Sequence, residues 1–196
     1  MGIYKLVKPF FCIGLLVVIG LQNSCTEKKT ATIDYNSLSE EEKRKPENAL
    51  ASMEIADDLQ LQLFASEPML TNPTNMAIDA RGRIWVCEGS NYRAFANPDI
   101  SYDNKGDRIL ILEDTDNDGI ADTSKVFYQG KDVNSALGIA VLGKKIIVSV
   151  SPNVFVFTDE NGDDVPDSKE VLFSGIEGVD HDHGVHAFIF GPDGRL

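Results

Sequence analysis

Histidine is scarce in this chain. There are three among 196 residues, and all of them fall within the stretch Val179-Asp-His-Asp-His-Gly-Val-His186. Cysteine is as scarce, and its placement excludes two chemistries. Cys12 lies inside an N-terminal apolar run and Cys25 just after it, so only Cys87 is left to the folded part and no disulfide can form within it. No Cys-x-x-Cys-His occurs, so the chain has no site for covalent c-type haem. Positive charge is short too. Against 31 Asp and Glu there are 18 Lys and Arg, a net charge of −13. That balance argues against a nucleic-acid partner, whose phosphates call for clustered Lys and Arg, and suits a soluble surface and divalent cations. No apolar run approaches a membrane span. Phe10 to Leu21 covers about 12 residues, the length of a signal-peptide core.

Lys5 and Lys8 precede that run, and Leu21-Gln-Asn-Ser-Cys25 follows it. A small residue before Cys is how a bacterial lipoprotein signal ends, with Cys25 then acylated, although Gln22 stands where Leu is usual. An ordinary cleaved signal with an incidental Cys25 reads the same residues. Either way the protein is expected to be exported from a bacterium, to the periplasm or as an outer-membrane or cell-surface lipoprotein held through its lipid anchor. Residues 1–25 are thus read as a signal peptide of lipoprotein type and 26–45, with Ser39-Glu-Glu-Glu-Lys-Arg-Lys45, as a flexible tether. Residues 46–196 are read as the folded part.

Pro46 to Met53 predicts a short helix with Pro in its first turn. Leu59-Gln-Leu-Gln-Leu-Phe64 alternates with strand periodicity. Beyond it, short strands and turns appear in an order that occurs twice. Met76–Asp79, Ile84–Cys87, Arg108–Leu112 and Lys125–Gly130 are followed by Leu137–Leu142, Ile146–Ser149, Asn153–Phe157 and Glu170–Gly175. Ile109–Gly130 and Val154–Gly175 align without a gap at an offset of 45 residues. Four strands per repeat of this length is the signature of a β-propeller blade. A third repeat opens with His186-Ala-Phe-Ile-Phe190 as an expected strand and Gly191-Pro-Asp-Gly194 as a turn matching Ala80-Arg-Gly-Arg83. The expected architecture is therefore all-β, a partial β-propeller of about two four-stranded blades plus the start of a third, with a short N-terminal helix. It is expected to be the N-terminal part of a larger protein. The polar insertion Ser90–Asp107 reads either as a binding loop or as a plain surface loop.

Each repeat carries an Asp-rich loop. Asp114-Thr-Asp-Asn-Asp-Gly-Ile-Ala-Asp122 places Asp114, Asp116, Asp118 and Asp122 at the alternation of a calcium loop, with Gly at the sharp turn and Lys125 where a bidentate Glu would stand. Asp159, Asn161, Asp163 and Asp167 repeat the alternation, with the Gly displaced by two. Weak Ca²⁺ binding and ordinary hairpin chemistry both account for these residues. His181 and His183 would share one face of a strand and His186 the other, so the three do not close a zinc site among themselves. A histidine entering an innermost strand can serve channel-mouth chemistry, and it can equally be a hydrogen-bonded structural group.

Asp182-His183-Gly-Val-His-Ala-Phe-Ile-Phe-Gly-Pro-Asp-Gly-Arg-Leu196 resembles a stretch of the soluble pyrroloquinoline-quinone (PQQ) sugar dehydrogenases, which are six-bladed propellers. Pro46-Glu-Asn-Ala-Leu-Ala-Ser, Leu63-Phe-Ala-Ser-Glu-Pro68, Asn72-Pro-Thr-Asn-Met76, Gly82-Arg-Ile-Trp-Val-Cys-Glu88 and Gly106-Asp-Arg-Ile-Leu-Ile-Leu-Glu-Asp114 resemble the PVC-type haem-binding, or sorbosone dehydrogenase-like "membrane-bound dehydrogenase", propellers. The resemblance implies oxidation of a sugar hydroxyl with PQQ as cofactor. It makes His183 the general base, Asp182 its partner, and a cytochrome c domain or protein the electron acceptor. In those enzymes the cations that hold the quinone come mainly from later blades, and Gly stands in the place of His186. The isolated piece is therefore expected to be inactive. The competing class is a non-catalytic cell-surface propeller that binds glycans or partner proteins.

Overall fold

The computed structural model describes residues 33–92, 103–176 and 183–196. The signal segment, Cys25, His181 and Asp182 lie outside the described residues. Two four-stranded antiparallel sheets follow one another along the chain. The first holds β1 (Pro73–Ile78), β2 (Ile84–Glu88), β3 (Asp107–Glu113) and β4 (Thr123–Gly130). The second holds β5 (Gly138–Leu142), β6 (Lys145–Val150), β7 (Asn153–Thr158) and β8 (Ser168–Ser174). In each sheet the strands lie in sequence order, as up-and-down hairpins require.

The offset of 45 holds at the level of single residue pairs. In the first sheet the β3–β4 ladder slips between Ile109, opposite Tyr128, and Leu110, opposite Val126. In the second it slips between Val154, opposite Phe173, and Phe155, opposite Val171. All four positions differ by 45, so both sheets carry the same bulge, and a bulge bends and twists its strand identically in each.

Strand alternation gives each sheet two apolar faces. Trp85, Cys87, Ile109 and Ile111 of the first sheet meet Ile146, Val148, Phe155 and Phe157 of the second in a shared core. Phe157 is fully buried there, with ring centroids 4.7 Å from Tyr128 and 6.1 Å from Phe127. The 45-residue shift carries Leu110 and Leu112, on the far face of the first sheet, onto Phe155 and Phe157. It carries Ile109 and Ile111 onto Val154 and Val156, on the far face of the second. The sheets therefore stack in a constant direction, each with its back to the front of the next. The chain's own flanks partly cover the two outer faces. Phe64, Ala65, Met69 and Leu70 cover Val86, Leu110 and Leu112, while Val185 and Phe188 cover Ala140, Ile147 and Val154. A groove of about 380 Å³ stays open on the first face between Phe64, Leu70, Met76 and Val86.

Two expected strands are not strands. Leu59–Phe64 alternates, but among the described residues it pairs with no sheet edge. Gln62 instead donates from Nε2 to the Asp118 carbonyl at 2.8 Å, and the Phe64 carbonyl accepts from Ala121 N–H at 2.8 Å, so the segment straps the loop after β3. His186–Phe190 also forms no ladder among the described residues and packs across β5 by side chains and single bonds. The turn after it does form. Gly191 N–H donates to Arg195 O at 2.7 Å and Gly194 N–H to Gly191 O at 3.0 Å, which repeats Asp79 to Arg83 O at 3.1 Å and Gly82 to Asp79 O at 3.0 Å. The helix expected at Pro46 is a 3-10 helix, Pro46–Ser52. Within the residues read as tether, Ser39 caps a single turn, α1 (Glu40–Lys43), through a complete capping box with Glu42.

Candidate functional site

The strand directions divide the described residues between two ends of the stack. At one end β1, β3 and β5 begin and β2 and β4 finish. Here stand Glu88, Asp107, Arg108 and Gly130, with the His183 segment beside them. At the other end lie the turn of Asp79–Arg83 and both Asp-rich loops. The two chemistries expected from the sequence, histidine and Asp loop, are thus on opposite ends.

At the histidine end, backbone meets backbone. A Cβ on Gly138, the first residue of β5, would lie 2.7 Å from the Val185 carbonyl oxygen, and one on Gly184 would lie 2.7 Å from Ser151 Oγ. His183 therefore leads directly into a segment laid flat on the second sheet. Nearby, Glu88 is fully buried and takes a two-pronged pair from Arg108, Nε to Oε2 at 2.5 Å and Nη2 to Oε1 at 2.7 Å, plus the Thr71 N–H at 2.6 Å. Among the described residues Asp107 has no cation in contact. Its carboxylate accepts from Asn91 N–H at 2.9 Å and Ser135 N–H at 2.8 Å, and burial raises its carboxyl above the ordinary range despite those two bonds. Asn134 Oδ1 takes the Asp107 N–H at 2.9 Å and the Asn91 amide at 3.2 Å, which ties the start of the 90–107 insertion to the link between the sheets. Sequence reading missed this network. Its signal was present: Glu88 follows the apolar run of β2 and Arg108 precedes that of β3, with opposite charge.

At the opposite end the two Asp loops fold alike. Asp114 Oδ2 accepts from Gly119 N–H at 2.8 Å, and Asp159 Oδ2 from Asp164 N–H at 2.9 Å. Asp122 Oδ2 accepts from Thr115 N–H at 2.6 Å, and Asp167 Oδ2 from Glu160 N–H at 2.7 Å. Asp118 and Asp163 each cap the N–H two residues on. The displaced glycine now has an explanation. Both loops need two residues with positive φ, at 117 and 119 in the first and 162 and 164 in the second, and each puts Gly at one and Asn or Asp at the other. Asp164 thereby gains a carboxylate where the first loop has only Gly119, and uses it on Arg83 at 2.9 Å and on Lys125 at 3.4 Å.

In the first loop Asp114, Asp116 and Asp122 each bring a carboxylate oxygen within 4.8 Å of the other two. Three hard oxygen donors at this spacing fit Ca²⁺. Asp118, expected with them, is not in that group and bonds Ile120 N–H instead. Lys125, at the place of the twelfth ligand, turns its ammonium to the Asp163 carbonyl of the second loop.

A family model described as a domain of unknown function, DUF7133, matches residues 45–196. The chain belongs to that family. The match takes in both sheets, both Asp loops and the His183 segment. No curated protein matches the chain. Among solved structures it is similar to a Trichoderma reesei carbohydrate-active enzyme of family AA12, solved as a calcium structure. The TM-score is 0.51 at 17% identity, over 70% of this chain and 30% of that one. At that identity the likeness is one of fold, and the chain spans less than a third of the length of that structure.

Proposed function

We propose that the chain is the first part of an exported β-propeller oxidoreductase that acts on a sugar hydroxyl, with His183 as the base. The observation that carries this reading is the convergence of β1, β5 and the His183 segment side by side at one end of the stack. Innermost propeller strands adjoin in this way around a channel. Two further findings support it. The sheets stack in a constant direction with an identical bulge, as consecutive blades do. Exposed apolar side chains also remain on the strands that end the stack, Met76 and Ile78 on β1 and Leu172 and Phe173 on β8, as surfaces awaiting further sheets would show. Likeness of fold to a carbohydrate-active enzyme agrees with the sugar assignment.

Redox chemistry in this reading belongs to a bound quinone, with a cytochrome as the electron acceptor. Arg108, set beside buried Glu88, is spent on it, and Asp107 adds a further carboxyl. These residues do not fit an anionic quinone by themselves, so its cations must come from elsewhere in the complete protein. The contribution of this chain is the base: an imidazole can take up the hydroxyl proton as its carbon is oxidised. Asp182 would be its partner, and Cys25 the lipid-bearing residue. Asp114, Asp116 and Asp122 would hold Ca²⁺ at the far end, where it braces a hairpin and takes no part in proton transfer.

The test is sugar-dependent dye reduction by the complete protein reconstituted with PQQ. Activity that disappears in His183→Ala supports the reading. Glycan binding that survives His183→Ala, with no quinone retained, points to a binding propeller and overturns it.

A further inference from the structure

Asn75, on β1, touches all three repeats. Its carboxamide nitrogen has two protons. One goes to the Leu137 carbonyl at the entry to β5, at 2.8 Å, and the other to the His186 carbonyl, at 2.7 Å. These acceptors lie 62 and 111 residues further along the chain. Thr74 beside it donates its hydroxyl to the Ala136 carbonyl at 2.5 Å. Consecutive strand residues ordinarily face opposite ways. Here the β1–β2 ladder slips between Pro73 and Asn75, and such a bulge re-aims side chains, so both reach the same neighbour.

The histidine segment is held from the other side as well. Gly184 lies against Ser151 Oγ, and Val185 O lies against Gly138. The three residues after His183 are thus fixed one by one, the first two by contact with the second sheet and the third by the Asn75 amide. The contacts at Gly184 and Val185 limit how close the segment can come. The amide bond at His186, by contrast, is directional.

We infer that Asn75 is the positioning residue of the histidine segment: its amide fixes the His186 main chain over β5 and so sets where His183 points. The catalytic consequence rests on the reading of His183 as base, whereas the placement does not.

The chain supplies its own reporters. All three histidines lie within 181–186, so imidazole NMR signals of the full chain report on this segment alone. The single tryptophan, Trp85, lies in the shared core with its Nε1–H on Asp79 at 3.1 Å, and its indole signal reports the packing of the two sheets. Asn75→Asp keeps the shape and replaces both donors by an oxygen facing two carbonyls. At pH 7 we expect histidine signals displaced toward those of an unstructured peptide, and about tenfold faster exchange of local amides. The Trp85 indole should stay in place. Acidification should bring the signals back toward those of the parent at the same pH, because a protonated carboxyl again donates one bond. Histidine signals of Asn75→Asp that superpose on the parent would overturn the proposal. Should Asn75→Asp lose the Trp85 signal too, Asn75→Ser, which brings no charge, decides: displaced histidines with Trp85 retained support the proposal, and unmoved histidines sink it. In the complete enzyme the same substitution should lower kcat with little change in KM. A complete protein without dehydrogenase activity would remove His183 as base and leave the NMR result standing.

Discussion

Arg83, which opens β2 from its turn, and Asp164, in the loop after β7, meet at 2.9 Å across the interface between the sheets. The guanidinium also donates from Nε to Asp79 at 2.8 Å, and Trp85 Nε1–H donates to the same carboxylate oxygen. Arg83 is buried, with 6% of its side chain exposed. Removing one member of such a set strands the others, at a cost of about 3–5 kcal/mol. Arg83→Ala should therefore lower stability by that amount in urea and alter Trp85 fluorescence before unfolding. A loss below about 1 kcal/mol would mean that the pair is solvated in solution, as exposed ion pairs are.

The same network fixes the acid limit of the fold. Burial opposes ionisation of Asp79 and Asp164, but bonds from Trp85 and Arg83 to the first, and from Arg83 and Lys125 to the second, outweigh it and hold both carboxyls below their ordinary 3.8. A lowered folded value adds stability above the ordinary value that disappears as pH falls through the lowered one. Asp107 has the opposite sign. Its folded value is raised, so it favours the fold below the ordinary value and costs stability as pH climbs through the raised one. Urea midpoints of the parent should drop on acidification below about pH 4. Between pH 4 and 7, Asp107→Asn should gain on the parent as pH rises, and a steady or shrinking difference would contradict the raised value.

Cys87 offers an independent measure of the shared core. It is fully buried, and burial pushes its thiol up to about 12. Thiolate is the reactive form, so alkylation must wait for opening. Labelling at Cys87, followed by peptide mapping, should track global unfolding. Phe157→Ala, which empties the centre of the core, should cost about 3–5 kcal/mol and speed Cys87 labelling roughly a hundredfold or more. Rapid labelling in native buffer would mean that the two sheets part locally.

The repeat was legible because its marks are local. Asp spacing, Gly at a positive-φ position and the apolar run Ile109–Leu112 all sit within a few residues of one another. Leu59–Phe64 misled for the same reason: alternation reports a two-sided surface, not an available sheet edge, and this segment found its partners at Asp118 and Ala121. His186–Phe190 has the composition of a strand but no neighbouring ladder among the described residues. The partners of Arg83 and Asn75 lie 81 and 111 residues away, and no short-range pattern points to them. His183 itself stood out by scarcity. What surrounds it, Asn75, Gly138 and Ser151, became visible only once the repeats were stacked.

The Asp loops now make unequal claims on calcium. Asp114, Asp116 and Asp122 gather three carboxylates, whereas the second loop has Asn161 in the place of Asp116 and receives the Lys125 ammonium on its Asp163 carbonyl. Calcium should therefore bind once, in the first loop, with a Kd of about 10⁻⁴–10⁻³ M, the range of extracellular modules. At 10 mM Ca²⁺ and a Kd near 10⁻³ M the fold should gain about 1.4 kcal/mol, and a chelator should reverse the gain. The increment must be compared, not the absolute stability. Asp114 also accepts the Gly119 N–H, so Asp114→Asn weakens the hairpin even without metal. Asp116 accepts the Asp118 N–H at 3.2 Å, a long bond that Asp114 shares at the same distance, which makes Asp116→Asn the cleaner variant. It should abolish the calcium increment with little change in chelator, while Asn161→Ala should leave the increment intact. Equal loss in both variants would mean that the two loops share the ion, and no increment in the parent would reduce both to turn-forming hairpins.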